Sequence, residues 1–155
     1  MKVKIDIPEY TLKYDKSFLK QVMGGAGNRV KKTTVELIRD SAGSGIMRNG
    51  HVASAPNEAP ANFTGNLAKS LKVKVARDGT SVSVVDTAKY ALSLESGSRG
   101  GGGKKGNRNR RDMPSTTRVM APRPYLSTAL DKNIESITKD IQDSVIKDIN
   151  FFKKT

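Results

Sequence analysis

The stretch Ser70-Leu71-Lys72-Val73-Lys74-Val75-Ala76-Arg77-Asp78-Gly79-Thr80-Ser81-Val82-Ser83-Val84-Val85-Asp86 decides the fold class. Leu71, Val73 and Val75 alternate with Ser70, Lys72 and Lys74, the period-two pattern of a strand that buries one face. Val82 and Val84 repeat that alternation. Between the two runs, Asp78-Gly79 supplies the positive φ angles that a tight turn needs. The segment therefore reads as a β-hairpin over 70–86.

Towards the N-terminus, Thr64 and Asn66 can cap a short turn that carries Leu67 and Leu71. Val3, Ile5 and Ile7 alternate with polar residues, which predicts a first strand ended by Pro8. Phe18, Leu19, Val22, Met23, Ala26, Val30, Leu37 and Ile38 recur at helical spacing and predict a long helix over about 15–40, capped by Asp15 or Ser17. Gly24, Gly25 and Gly27 each cost about 1 kcal/mol against Ala inside a helix, which predicts a kink or break there. Their alternative use is close approach of another backbone.

Towards the C-terminus, Ala88 to Glu95 reads as a short helix with Tyr90, Ala91 and Leu94 on one face and Gly97 as its stop. Arg118, Val119 and Met120 read as a fourth short strand. Pro122 and Pro124 then open a last helix over about 123–150, whose stripe is Leu126, Leu130, Ile134, Ile137, Ile141, Val145 and Ile149. The opposite face carries Asp131, Lys132, Glu135, Lys139, Asp140 and Lys147 and reads as solvated. The expected fold is α+β: a small antiparallel sheet of three or four strands packed by two long helices. With 155 residues, one domain over 1–155 is expected, because two of typical size need a longer chain.

Two segments fall outside this periodicity. Residues 42–62 are rich in Gly, Ser, Asn, Ala and Pro and read as a flexible arm, exposed or draped over a neighbour. Residues 98–117 hold five glycines and six cations, Arg99, Lys104, Lys105, Arg108, Arg110 and Arg111, with Met113 as the one large apolar side chain. Such a loop cannot bury itself. Its cations are either a solvated charge run or candidate contacts to DNA phosphates, which flexible Arg and Lys neutralise without reading sequence. No aromatic is interleaved among them, which argues against stacking on single-stranded bases.

Twenty-eight Lys and Arg against fifteen Asp and Glu give a formal charge of +13, which favours anionic partners but does not choose among them. The absence of cysteine excludes a disulfide framework, a thiolate metal site and a thiol nucleophile. The first residues lack the apolar run of a signal peptide, and no stretch approaches the roughly 20 apolar residues of a membrane span, so a cytoplasmic site of synthesis and no membrane are expected. The sequon Asn62-Phe63-Thr64 is then without a glycosylation route.

Enzymatic constellations fit poorly. His51 is the only histidine and is expected as an exposed loop residue, with no paired ligand and no acid at triad-like spacing. Asp78 belongs to a turn and Asp86 to a strand end, where short acids serve conformation. Gly101, Gly103 and Gly106 match G-x-G-x-x-G only because glycine runs make the match automatic, and no βαβ context surrounds them. Lys104-Lys105 lacks the following Ser or Thr of a P-loop. The expectation is no enzyme, no cofactor and no metal.

Two ordered segments resemble a known family. Ser54-Ala55-Pro56-Asn57-Glu58-Ala59-Pro60-Ala61-Asn62-Phe63-Thr64-Gly65-Asn66-Leu67-Ala68-Lys69-Ser70-Leu71 resembles one signature of the head-tail joining, or tail completion, proteins of tailed bacteriophages. Tyr90-Ala91 with Glu95 and Gly97, followed by Met120-Ala121-Pro122-Arg123-Pro124-Tyr125-Leu126 and Ala129-Leu130, resembles the second. Asn57 and Ala59 stand where Gly and Pro are common, Ser96 replaces a usual aromatic, and the Gly/Arg loop is longer than typical.

The resemblance implies a virion structural protein of the neck that forms a ring, commonly a hexamer or dodecamer, between the head connector or stopper and the tail tube or tail terminator. Genomic DNA would run through its lumen. Such rings need heterologous interfaces that close by rotation. Pro56, Pro60, Phe63, Thr64 and Gly65 are then expected to shape an interface arm, and Pro122, Arg123, Pro124 and Tyr125 to set up the last helix. The arm would pack on an adjacent subunit and the basic loop would face the lumen. The rival reading, carried by charge, is a free-standing non-specific nucleic-acid-binding protein.

Overall fold

A computed structural model of the chain describes residues 2–6, 16–48, 50–62, 64–98 and 120–152, with residues 6, 48 and 147–152 described by backbone alone. Strand β1 (Lys2–Asp6) is followed by helix α1 (Lys16–Asp40), short strands β2 (Met47–Arg48) and β3 (His51–Val52), and helix α2 (Asn66–Lys69). Strands β4 (Leu71–Val75) and β5 (Ser81–Asp86), helix α3 (Ala91–Ser96) and helix α4 (Leu126–Phe152) complete the order. The fold is α+β, as the periodicities require.

The hairpin forms at the expected place. β4 and β5 pair antiparallel with Val73 opposite Val84, and Gly79 turns the chain at φ +79°. β1 adds antiparallel to the other side of β5, with Val3 opposite Val84, so the three-stranded sheet has the order β1-β5-β4. Of the predicted fourth strand, Met120 bridges to Ser98, and Arg118 and Val119 lie outside the described residues. Beyond Met120 a strand cannot lengthen, because Pro122 and Pro124 follow at once and lack the N–H that a ladder uses.

α1 runs unbroken through all three glycines, against the expectation of a kink or break. Its buried positions are Leu19, Met23, Ala26, Gly27, Val30, Thr34 and Ile38, a stripe at three- and four-residue spacing that lies on the sheet. Gly27 explains itself by contact: a Cβ there would lie 2.6 Å from Val82 Cγ2 and 2.7 Å from Val73 Cγ1. The close approach is to side chains of the hairpin. Thr34 is tolerated in the apolar stripe because its hydroxyl donates to Val30 O at 2.7 Å.

α4 starts at Leu126, three residues later than expected, and packs beside α1. Arg29 pairs with Asp140 at 2.6 Å and Asn133 donates to Thr33 at 3.0 Å, so the two helices run in opposite directions. Leu126, Ala129 and Ile137 are buried, with Leu130 and Ile141 partly so, whereas Ile134 of the predicted stripe is 49% exposed. Asn133 takes the inward place instead, its amide held by Thr33 and by Ala129 O. The short helix likewise begins later than expected, at Ala91, after a turn at residues 89–90.

The arm is more ordered than its composition implies. Within 42–62 lies the β2–β3 hairpin, with Met47 opposite Val52 and Arg48 opposite His51. His51 is thus a partly buried strand residue and not the exposed loop histidine expected. Among the described residues, no helix is long and apolar enough to cross a membrane.

Candidate functional site

Helix α4 opens with Pro124-Tyr125-Leu126, so no Ser, Thr, Asp or Asn stands at its start to cap the free N–H groups. The cap comes from 30 residues upstream. Glu95, 5% exposed at the end of α3, accepts from Tyr125 N at 3.0 Å and Leu126 N at 3.1 Å through Oε2. Its Oε1 accepts from Ser127 N at 2.9 Å and Ser127 Oγ at 2.6 Å. A carboxylate buried at a helix N-terminus is stabilised by these donors and by the positive end of the helix dipole.

Tyr125 is fully buried beside this cap, and its hydroxyl donates to Asp86 Oδ2 at 2.8 Å. Burial, reinforced by the Asp86 carboxylate, pushes the phenol far above its ordinary range, so it stays protonated and remains a donor. Asp86 Oδ1 accepts from Ser70 Oγ at 2.5 Å and from Ala88 N at 2.8 Å. The Asp86 expected as a conformational residue therefore ties the end of β5 to the start of both β4 and α4.

The Pro-rich segments meet at this corner. Arg123 N donates to Leu94 O at 2.6 Å, and Arg123 Nε donates to Ser54 O at 3.0 Å. Asn57 N donates to Pro122 O at 2.8 Å, and Ser98 and Met120 exchange backbone bonds of 2.8 and 2.9 Å. Gly97 is required here, since its φ is +74° and a Cβ would stand 2.6 Å from Met120 O. Residues 54–58, 94–98 and 120–127 thus form one seam, although up to 69 positions separate bonded partners in sequence.

Glu58 closes the arm upon itself. Its Oε2 accepts from Ala55 N at 2.7 Å, Ser44 N at 3.1 Å and Ser44 Oγ at 3.0 Å. Those N–H donors, Ala55 first and Ser44 second, hold its carboxyl below the ordinary value of 4.5. Ser41 Oγ donates to Ala59 O at 2.7 Å, and Pro60 is buried while Pro56 is exposed. Thr64 accepts from Asn66 N at 3.4 Å, and Gly65 turns at φ +71° with its N–H held by Asn62 Oδ1.

Of the residues singled out from sequence, Pro56, Pro60, Pro122, Arg123, Pro124 and Tyr125 come to this corner or its arm, with Thr64 and Gly65 at the start of α2. Phe63 and all six loop cations, Arg99, Lys104, Lys105, Arg108, Arg110 and Arg111, lie outside the described residues. Two open clefts flank the seam. One of about 740 Å³ is lined by Ile46, Ala53, Pro56, Ser98, Met120 and Arg123. The other, about 380 Å³, includes Ile38, His51, Pro60, Tyr90 and Arg123 in its wall.

No family model, curated protein or solved structure gives a significant match to this chain. What the corner can do must be read from its own groups. Among the described residues no three metal-ligating side chains gather, and the acids of the seam are already engaged by backbone and hydroxyl donors. A carboxylate so occupied holds shape. Glu95 and Glu58 are the residues whose roles the motif reading left unassigned. The signal for Glu95 was the missing local cap at Pro124-Tyr125, which demands an acceptor from elsewhere in the chain.

Proposed function

We propose that this chain is a structural protein of a tailed-phage neck, one copy of a ring that joins the head connector to the tail. The reading rests on the likeness of residues 54–71 and of residues 90–97 with 120–130 to the two signatures of the head-tail joining proteins. The observation that carries it is the β2–β3 hairpin. At its start Ile46 and Met47 are 70% and 67% exposed, the two most exposed of the large apolar side chains described.

Those residues stand on a base pinned to the same chain by Arg123, Asn57 and Glu58. A rigid base with an uncovered apolar edge is what a heterologous contact requires, because the ordering cost is already met before association. The reading of the whole arm as an element draped on a neighbour is thereby narrowed to residues 46–47. Around them, Ser44, Gly45, Ala53, Ala55, Asn57 and Glu58 are bonded within their own chain.

Native mass spectrometry of the purified chain at rising concentration, with negative-stain imaging, tests the ring. Closed hexamers or dodecamers are expected. A chain that stays monomeric at all concentrations and is absent from assembled particles would end the proposal. Deleting residues 99–111 is expected to leave the ring intact while impairing DNA retention or passage.

The +13 formal charge favours a second reading, a free-standing non-specific nucleic-acid-binding protein. A monomer that binds duplex DNA tightly would select it. If the six loop cations contact duplex, log affinity falls with log salt at a slope of about −5.

A further inference from the structure

The face of the three-stranded sheet that α1 does not cover carries a second cationic feature, distinct in sequence from the Gly/Arg loop. Side chains alternate between the faces of a strand. Val3, Leu71, Val82 and Val84 are buried, and the Gly27 contact with Val73 and Val82 fixes α1 on their side. Lys2 and Lys4 of β1 and Lys72 and Lys74 of β4 alternate with the inward residues of their strands, and all four are exposed.

Register makes these four lysines a cluster. Lys2 and Lys72 are both paired with Val85, and Lys4 and Lys74 are both paired with Ser83. Each lysine of β1 is therefore opposite one of β4, about 10 Å away across the central strand and about 7 Å from its neighbour along its own strand. Between them lie Ser83 and Val85, which carry no charge. Asp6, the acid of β1, follows Lys4 by two positions and so shares its face, opposite Ser81, and Lys4 already has an interaction partner within the chain.

We propose that the lysines of this sheet face bind the phosphate backbone of duplex DNA, through Lys2, Lys4, Lys72 and Lys74 and without sequence preference. A duplex presents one negative charge per roughly 1.7 Å of axis, so a flat array of four cations meets several phosphates at once. The chemistry of the face selects this partner over an acidic protein. Protein interfaces are depleted in lysine at their centres and anchored by aromatic residues and arginine, and the four positions here hold only lysine. Lysine is a mobile point charge that contacts phosphate without fixing a base.

Lysines at sheet edges also discourage edge-to-edge pairing, and β1 and β4 are the two edges of this sheet. The test separates guarding from binding. In the full chain, Lys2, Lys4, Lys72 and Lys74 are changed to Gln, and a charge-matched control changes the exposed Lys20, Lys32, Lys132 and Lys139 to Gln. Both variants lose four charges from +13, so the general attraction to a polyanion drops equally.

Affinity for a random-sequence duplex is measured as a function of salt. The sheet variant is expected to lose at least about tenfold in affinity and to flatten the log–log salt slope by about 3 to 4, while the control keeps its slope. Equal losses in the two variants overturn the proposal. So does lysine-dependent binding to anionic phosphatidylserine vesicles with none to duplex. The pair Lys72→Gln and Lys74→Gln, expected to flatten the slope by about 2, keeps the test open if the fourfold variant aggregates. The inference does not rest on the ring: a ring that binds DNA independently of these lysines leaves the neck proposal standing and removes this one.

Discussion

Gly27 and Gly25 lie two residues apart on α1 and carry opposite costs. Alanine at 27 gains helix propensity, but its methyl would press on Val82 and Val73 at 2.6 and 2.7 Å. Overpacking of that kind costs about 1–3 kcal/mol. Alanine at 25 meets nothing within 4 Å and removes only the entropy penalty of glycine, about 0.5–1 kcal/mol. Urea unfolding is expected to show Gly27→Ala as destabilising and Gly25→Ala as stabilising. Glu95 permits a larger forecast. Glu95→Ala leaves the buried Tyr125 and Leu126 N–H groups without acceptors, at about 1–3 kcal/mol each, so a loss on the order of 4 kcal/mol is expected. Tyr125→Phe, which strands one oxygen of Asp86, should cost about 1–2 kcal/mol in the same assay.

Among the elements, the arm carries a pH-dependent latch. Glu58 has its pKa held below 4.5 by the Ala55 and Ser44 N–H groups, so the folded arm prefers the carboxylate. Its contribution is therefore complete above pH 4.5 and is lost as pH falls through the lowered folded value. Hydrogen exchange at the Ala55 and Ser44 amides, corrected for intrinsic rates, should accelerate over that acidic window. Glu58→Gln should abolish the acid-induced change; persistence of the same pH response in that variant would contradict the latch. The long helices and the hairpin were legible because three-, four- and two-residue periodicities and an Asp-Gly turn are local properties. The β2–β3 hairpin was not, since two-residue strands leave no periodicity and glycine, serine and proline also make loops. Ile134 misled for a related reason: equal spacing marks two neighbouring stripes on a helix, and only the position of α1 selects the covered one.

At the scale of the molecule, the exposed Ile46 and Met47 stand at the start of the β2–β3 hairpin, and the four lysines belong to the other sheet, β1-β5-β4. Replacing Ile46 and Met47 with Asp should reduce the assembled fraction in native mass spectra. Unfolding free energy should stay within about 0.5 kcal/mol, because neither side chain belongs to the core. A variant that assembles as the parent does would remove the hairpin from the interface. The salt slope of duplex binding by the monomer should be kept, since Lys2, Lys4, Lys72 and Lys74 are untouched.

The amino-acid order alone determined the fold class, the hairpin and the two long helices, through short-range periodicity and turn chemistry. Only the tertiary structure decided that Glu95 caps a helix 30 residues away, that Gly27 is a contact residue, and that β1 and β4 set their lysines opposite each other. Those facts depend on which elements become neighbours, and packing of the whole chain is what brings such distant residues within bonding distance.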